Sequence, residues 1–271
     1  MALLMDHPDL VRSVCLALQA DRRIEGVCSL LDLSSWEELD DLADRAAFDV
    51  ALVQLPWPFG RPGEVGAPGR MARLRLRLGL GAVIPFLEGG PGSQETLKEL
   101  RRLRYPIALV QGTDDEPGSI LRALARAGVL RSLEAAAGGA SGSGGVPEYP
   151  LLASALGAWP PAPTAQELAL RLGLSRRTLQ RRLRLASLPA PATLMRWGTL
   201  LEGVLLHRMG IRSRPALANI LDVGSSSGLS RLSRDLTGRS LGEVLDAASP
   251  GNLLREMLAR PERERERPLT G

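Results

Sequence analysis

The chain has 271 residues, 44% of them hydrophobic and 24% charged, with a formal net charge of +4. This is enough for two domains with separate cores, and it is too apolar for a disordered chain. Two cysteines and two histidines without metal-ligand spacing argue against a disulfide framework, a zinc site or a haem site, so no cofactor is expected. Cys15 and Cys28 sit in apolar segments and read as small buried hydrophobes. With no basic leader ahead of an apolar run and no stretch of membrane-spanning length, the expected setting is cytoplasmic, with no membrane partner.

Through residue 130, short apolar runs alternate with amphipathic segments. The runs are Ala2–Met5, Ile24–Leu30, Asp49–Leu55, Gly81–Leu87 and Ile107–Gln111. Between and after them lie Pro8–Ala20, Trp36–Ala46, roughly Gly69–Leu78, Gln94–Leu103 and Gly118–Ala127. Five strands, each followed by a helix, predict a doubly wound five-stranded parallel sheet of the α/β class. Chemistry on such a sheet gathers at the carboxyl ends of its strands, here Asp6, Gln54–Pro58, Glu88 and Gln111–Asp115. The Gly/Pro-rich stretch Trp57–Arg70 reads as a surface loop, and it lacks the glycine spacing that cradles phosphate. Asp114, Asp115 and Glu116 read as residues favoured by the start of the fifth helix, and a metal site is the minor reading.

The segments "LLMDHPDLVRSVCLAL" and "AAFDVALVQLPWP" resemble the first and third strand regions of response-regulator receiver domains. That resemblance implies a flavodoxin-like fold in which acidic residues and a phosphoacceptor Asp hold Mg²⁺, beside a hydroxyl and a Lys. Asp6 matches one of the acids. The acceptor position is Gln54, the hydroxyl position falls near Leu87, and the Lys position falls near Val110 or Gln111. A neutral amide and an aliphatic chain cannot replace an anionic acceptor and a cation, so the resemblance implies a receiver without phosphorylation chemistry. The residues alone also allow an unrelated α/β domain with a small ligand at the same edge.

"EAAAGGASGSGGVPE" (Glu134–Glu148) is Ala, Gly and Ser with a closing Pro, and reads as a flexible tether. The expected division is a first domain over 1–131, a linker over 132–147, a second domain over 148–250 and a charged tail over 251–271. Whether Asn252–Leu258 forms a docked or a frayed helix stays open. Charge follows this division. Residues 1–135 have three more acidic than basic residues, and the remainder has seven more basic than acidic.

In "TAQELALRLGLSRRTLQRRLRLA" (Thr164–Ala186), Thr164 is placed to cap a helix with Glu167 three residues on. Leu168, Ala169 and Leu172 form its apolar stripe, Gly173 supplies a left-handed turn, and Ser175 caps a second helix. Leu179 and Leu183 then face inward, leaving Arg176, Arg177, Gln180 and Arg181 outward. This is the pattern of a helix-turn-helix. A second copy follows over Pro215–Leu245, with Ala218, Leu229 and Arg231 corresponding to Ala169, Leu179 and Arg181. Between the copies, Ala190–Met209 reads as one long helix of roughly 30 Å, near one DNA turn of ~34 Å. Trp159 and Trp197 read as core residues.

Residues 148–246 resemble the AraC/XylS-type DNA-binding domain of bacterial transcription regulators, carried by "LALRLGLSRRTLQRRLR" and "LDVGSSSGLSRLSRDLTGRSL". The resemblance implies an all-helical domain binding double-stranded DNA through Ser175, Arg176, Arg177, Gln180 and Arg181 of the first unit and Ser226, Ser227, Ser230, Arg231 and Arg234 of the second. Asp222-Val223 replaces the family's Gly-Phe, Ser233 stands where an aromatic is usual, Leu241 where Pro is usual, and Gly228 weakens its helix by roughly 1 kcal/mol relative to Ala.

The expectation is a sequence-specific transcription regulator, not an enzyme, whose first domain mediates homodimerisation or contact with a regulatory protein. A protein-interaction module whose second domain no longer reads DNA is the alternative. An enzyme at the strand ends lacks a nucleophile–base pair, paired carboxylates or metal ligands.

Overall fold

The computed structural model describes residues 2–4, 31–33, 35–45, 49–55, 67–79, 81–90, 93–103, 105–138 and 149–259. The chain divides into two compact units, residues 1–131 with Met209–Ile211 and residues 132–208 with 212–271.

The first unit contains β1 (Ala2–Leu4), β2 (Leu31–Leu33), α1 (Trp36–Asp44), β3 (Ala51–Leu55), α2 (Ala67–Leu78), β4 (Val83–Leu87), α3 (Ser93–Arg102), β5 (Leu109–Val110) and the start of α4 (Pro117–Gly138). All pairings are parallel, in the order β2-β1-β3-β4-β5. Among the described residues Ala2–Leu4 joins Leu31–Leu33 on one side and Ala51–Val53 on the other. Every residue of β3 and β4 is buried, as apolar parallel strands require. Against them pack Leu39 and Ala43 of α1, Met71 and Leu74 of α2, and Leu100 of α3. Tyr105 donates its hydroxyl to the Met71 carbonyl at 2.5 Å, and burial pushes its pKa up despite the nearby Arg75 cation. Gly81 must be glycine, because a Cβ there would stand 2.3 Å from the Ala127 carbonyl.

This corrects the expected architecture. Helix makes up 66% of the described residues, and the strands whose ends are both described are short, five residues in β4 and two in β5. Over the described chain helix, not a regular doubly wound sheet, predominates, and the five parallel strands form only a small sheet in the first unit. Predicted strand Ile24–Leu30 and predicted helix Pro8–Ala20 lie outside the described residues, and the second strand described is Leu31–Leu33. The fifth strand shrinks because the Asp114 carboxylate accepts from Val110 N at 3.0 Å, while Thr113 N and Asp114 N both turn back to the Val110 carbonyl. Asp114 thus ends a strand. Of the expected loop Trp57–Arg70, residues 67–70 open α2 and the rest lie outside the described residues. Cys15 and Cys28 lie outside them too.

Residues 132–138, expected as linker, continue α4. Glu134-Ala-Ala-Ala has the composition of the tether that follows it, but Ala is the strongest helix former and only the following glycines oppose it. Residues 139–148 lie outside the described residues.

The second unit is all helix among the described residues: α5 (Tyr149–Gly157), α6 (Ala165–Arg171), α7 (Arg176–Leu185), α8 (Pro191–Arg208), α9 (Arg214–Ile220), α10 (Ser226–Thr237), α11 (Leu241–Ala247) and α12 (Pro250–Ala259). The long helix α8 is its axis, with α5, α6, α7, α9, α10, α11 and α12 all packed on it. Leu194, Trp197, Leu200, Leu201 and Val204 are buried along α8. Gly198 and Gly203 admit Leu156 and Leu221 to 3.4 and 3.2 Å of where a Cβ would be. Trp197 is the core residue expected, whereas Trp159 is half-buried. The supposed tail begins as a docked helix, since Leu253, Leu254 and Met257 of α12 are fully buried. No helix among the described residues is long and apolar enough to cross a membrane.

Candidate nucleic-acid interface

The pairs α6–α7 and α9–α10 are the same local structure built twice. In the first, Leu174 N donates to the Ala169 carbonyl at 2.9 Å, and Gly173 N to Leu170 at 2.9 Å. In the second, Val223 N donates to the Ala218 carbonyl at 3.0 Å, and Asp222 N to Asn219 at 3.1 Å. Gly173 has φ +66° and Asp222 has φ +55°, so both turns pass through the left-handed region at the same point. Asp tolerates that conformation through its short polar side chain. Ala169 and Ala218, equivalent by sequence, are both buried beneath their turns.

The turns differ in length. After Val223 the second carries Gly224, with φ +72°, before its cap at Ser225. From there on, equivalent residues are offset by fifty rather than forty-nine. Ser175 accepts from Thr178 N at 3.1 Å, and Ser225 from Gly228 N at 3.1 Å, satisfying one orphan donor in each helix. Leu179 and Leu229 are both fully buried, as are Leu183 and Ser233. Ser233 is tolerated in place of a large side chain because its hydroxyl donates to the Arg239 carbonyl at 3.2 Å.

The predicted contact residues sit on the open sides of these second helices. Ser175, Arg176, Arg177, Gln180 and Arg181 of α7 are exposed, with Arg182 and Arg184 beside them. On α10, Ser227, Arg231 and Arg234 are exposed, and Ser226 and Ser230 are half-buried. Ser230 is turned inward along its helix, donating its hydroxyl to the Ser226 carbonyl at 2.9 Å, which draws it away from an external partner. Arg176, Arg177, Arg181, Arg231 and Arg234 form no ion pair with another described residue. By contrast, Arg196 of α8 donates to Asp235 of α10 at 2.7 Å and ties that helix to the axis. Sequence reasoning missed Arg184; the fifty-residue offset that pairs it with Arg234 is the signal that finds it.

At the sheet edge of the first unit, Gln54 is buried and donates its amide to Glu88 Oε1 at 3.0 Å. Leu87 is buried, and its carbonyl accepts from Gln111 N at 2.9 Å. Gln54, Leu87 and Gln111 therefore do converge at the ends of β3, β4 and β5, whereas Asp6 lies outside the described residues. Among the described residues no cluster of His, Cys, Asp and Glu is placed to hold a metal. No known protein family, curated protein or solved structure matches this chain.

Proposed function

We propose that the second unit binds double-stranded DNA and that the protein regulates transcription, as the resemblance to AraC/XylS-type regulators implies. The observation that carries the reading is the repeated turn with its capped second helix, each time presenting guanidinium groups that no carboxylate among the described residues engages. Arg forks and the Gln180 amide match the acceptor and donor edges of guanine and adenine in the major groove. The two helices differ in kind. α7 offers Arg177, Gln180 and Arg181 to bases, whereas α10 offers serines and two arginines, a set better suited to phosphates. The first unit, with no acceptor carboxylate at Gln54, supplies dimer or partner contact instead of phosphorylation, and the protein acts in the cytoplasm.

The test is binding of the full chain to a pool of random duplexes, selected and then titrated at several salt concentrations. Enrichment of a defined sequence and steep loss of affinity with salt are expected. Arg181→Ala is expected to cost about 1–3 kcal/mol and to relax preference at one base pair, and Arg231→Ala to weaken all sequences alike. Weak binding with no sequence enriched would overturn the reading and favour a protein-interaction module.

A further inference from the structure

A cleft of about 370 Å³ opens in the second unit between the end of α8, the turn before α9 and the start of α12. Its lining includes His207, Arg208, Arg212, Asp246, Ser249 and Asn252. None of these belongs to the helices α7 and α10.

The His207 ring is 7% exposed and holds contradictory bonds. Arg212 Nη1 lies 2.5 Å from His207 Nε2, and Asp246 Oδ1 lies 3.3 Å from that same nitrogen. The guanidinium needs a lone pair there, while the carboxylate needs a proton, and one neutral nitrogen cannot offer both. With Arg212 as donor, the ring proton moves to Nδ1, which is buried with no partner. A buried donor left unmatched is a cost that native structures seldom leave standing.

The other groups have donors to spare. The Arg208 side chain is exposed and makes no hydrogen bond or ion pair with a described residue. The Ser249 hydroxyl oxygen accepts from Asn252 N at 3.1 Å, which leaves its own proton to give. Asn252 Oδ1 accepts from Arg255 at 2.6 Å, which leaves its amide N–H groups. The ten-residue helix α12 begins at this wall, so its dipole adds positive potential.

We propose that this cleft binds a phosphate-class oxyanion, either a free phosphate-bearing molecule or a phosphate of a nucleic-acid backbone. Donors on three separate elements suit a tetrahedral group with several acceptor oxygens better than a planar carboxylate. The anion takes Arg212 into a charge-assisted pair. That frees His207 Nε2 to keep its proton and give it to Asp246, which removes the orphaned N–H at Nδ1. The proposal is independent of base reading by α7, because it concerns other residues and a different readout.

The test uses the full chain with ¹⁵N-labelled histidine, inorganic phosphate as probe, and chloride at matched ionic strength as reference. His7 is the one other histidine and serves as internal standard. Phosphate is expected to move the His207 ring from the Nδ1–H to the Nε2–H pattern, saturating near or below about 1 mM. Arg208→Gln, at an exposed position, should weaken that response at least about tenfold with the fold retained by circular dichroism, whereas Arg212→Gln should show the Nε2–H pattern already without phosphate. A duplex DNA arm separates the two sources. If duplex alone produces the same shift and phosphate competes with it, the ligand is a backbone phosphate; if the phosphate response persists in saturating duplex, it is a free anion. A shift equal to that in chloride, one that never saturates, or one unchanged in Arg208→Gln overturns the proposal.

Discussion

The carbonyl oxygen of Val223 lies 2.7 Å from the position that a Cβ on Gly228 would occupy. Helix propensity alone predicts that Gly228→Ala stabilises α10 by roughly 1 kcal/mol. The contact predicts the opposite, because a backbone carbonyl in a bonded turn has little room to move. The expected outcome is a loss of about 1–3 kcal/mol, of the size found for overpacking, seen as a lower urea midpoint at unchanged slope. A higher midpoint would mean that the turn relaxes freely. The equivalent residue in α7 is Thr178, which sits behind the shorter turn.

Gln54→Glu should destabilise the first unit in a pH-dependent way. The wild-type amide donates to Glu88; the replacement instead sets a second carboxylate against it at a buried position. Like charge and burial both raise the pKa of such a pair in the folded state. A raised folded value means the protonated form is favoured on folding. The deficit is therefore greatest at neutral pH and shrinks as pH falls through the raised value. Unfolding of the variant at pH 7 and in mild acid, each compared with wild type, should show a loss of about 1–3 kcal/mol at the higher pH and less at the lower.

Met257→Ala distinguishes a docked helix from a frayed tail. The Met257 side chain is fully buried, so its truncation should cost about 2–5 kcal/mol by lost transfer energy and residual cavity. Thermal unfolding of the variant should show a clear fall in Tm, whereas a frayed segment would tolerate the change.

Glu243 gives an acid-limb signature. Hydrogen bonds from the Ser240 hydroxyl and then the Ser240 backbone N–H, with Arg239 a smaller influence, hold its carboxyl below the ordinary 4.5. A depressed folded value means this contribution is present above the ordinary pKa and is lost as pH falls through the lowered one. Glu243→Ala should therefore be less stable than wild type at neutral pH, with the gap closing in acid. A gap that stays constant with pH would remove the capping box of α11 as its cause.

The helices of the second unit were legible because their signals are local. Thr164, Ser175 and Gly173 announce caps and a left-handed turn within a few residues, and each does that work. Asp222 could be read as the degraded equivalent of Gly173. What could not be read depends on neighbours distant in the chain or on competing local bonds. Nothing near Gly228 announces the Val223 carbonyl, nor does the alternation before Val110 reveal the Asp114 carboxylate that ends its strand. The cleft around His207 joins residues from 207 to 252, a conjunction with no spacing rule. In the first unit, apolar runs indicated buried strands but not their length, since strand length is set by pairing partners.

One residue added inside a helix would swing every later side chain by about 100°. Here the extra residue is Gly224, in the turn, and the inward positions of the second copy, Leu229 and Ser233, stay buried like Leu179 and Leu183. The turn thus acts as a shim between two castings from one mould. Because it absorbs the mismatch, the outer faces of α7 and α10 could diverge, one toward arginine and one toward serine, without reopening the interior they share in kind.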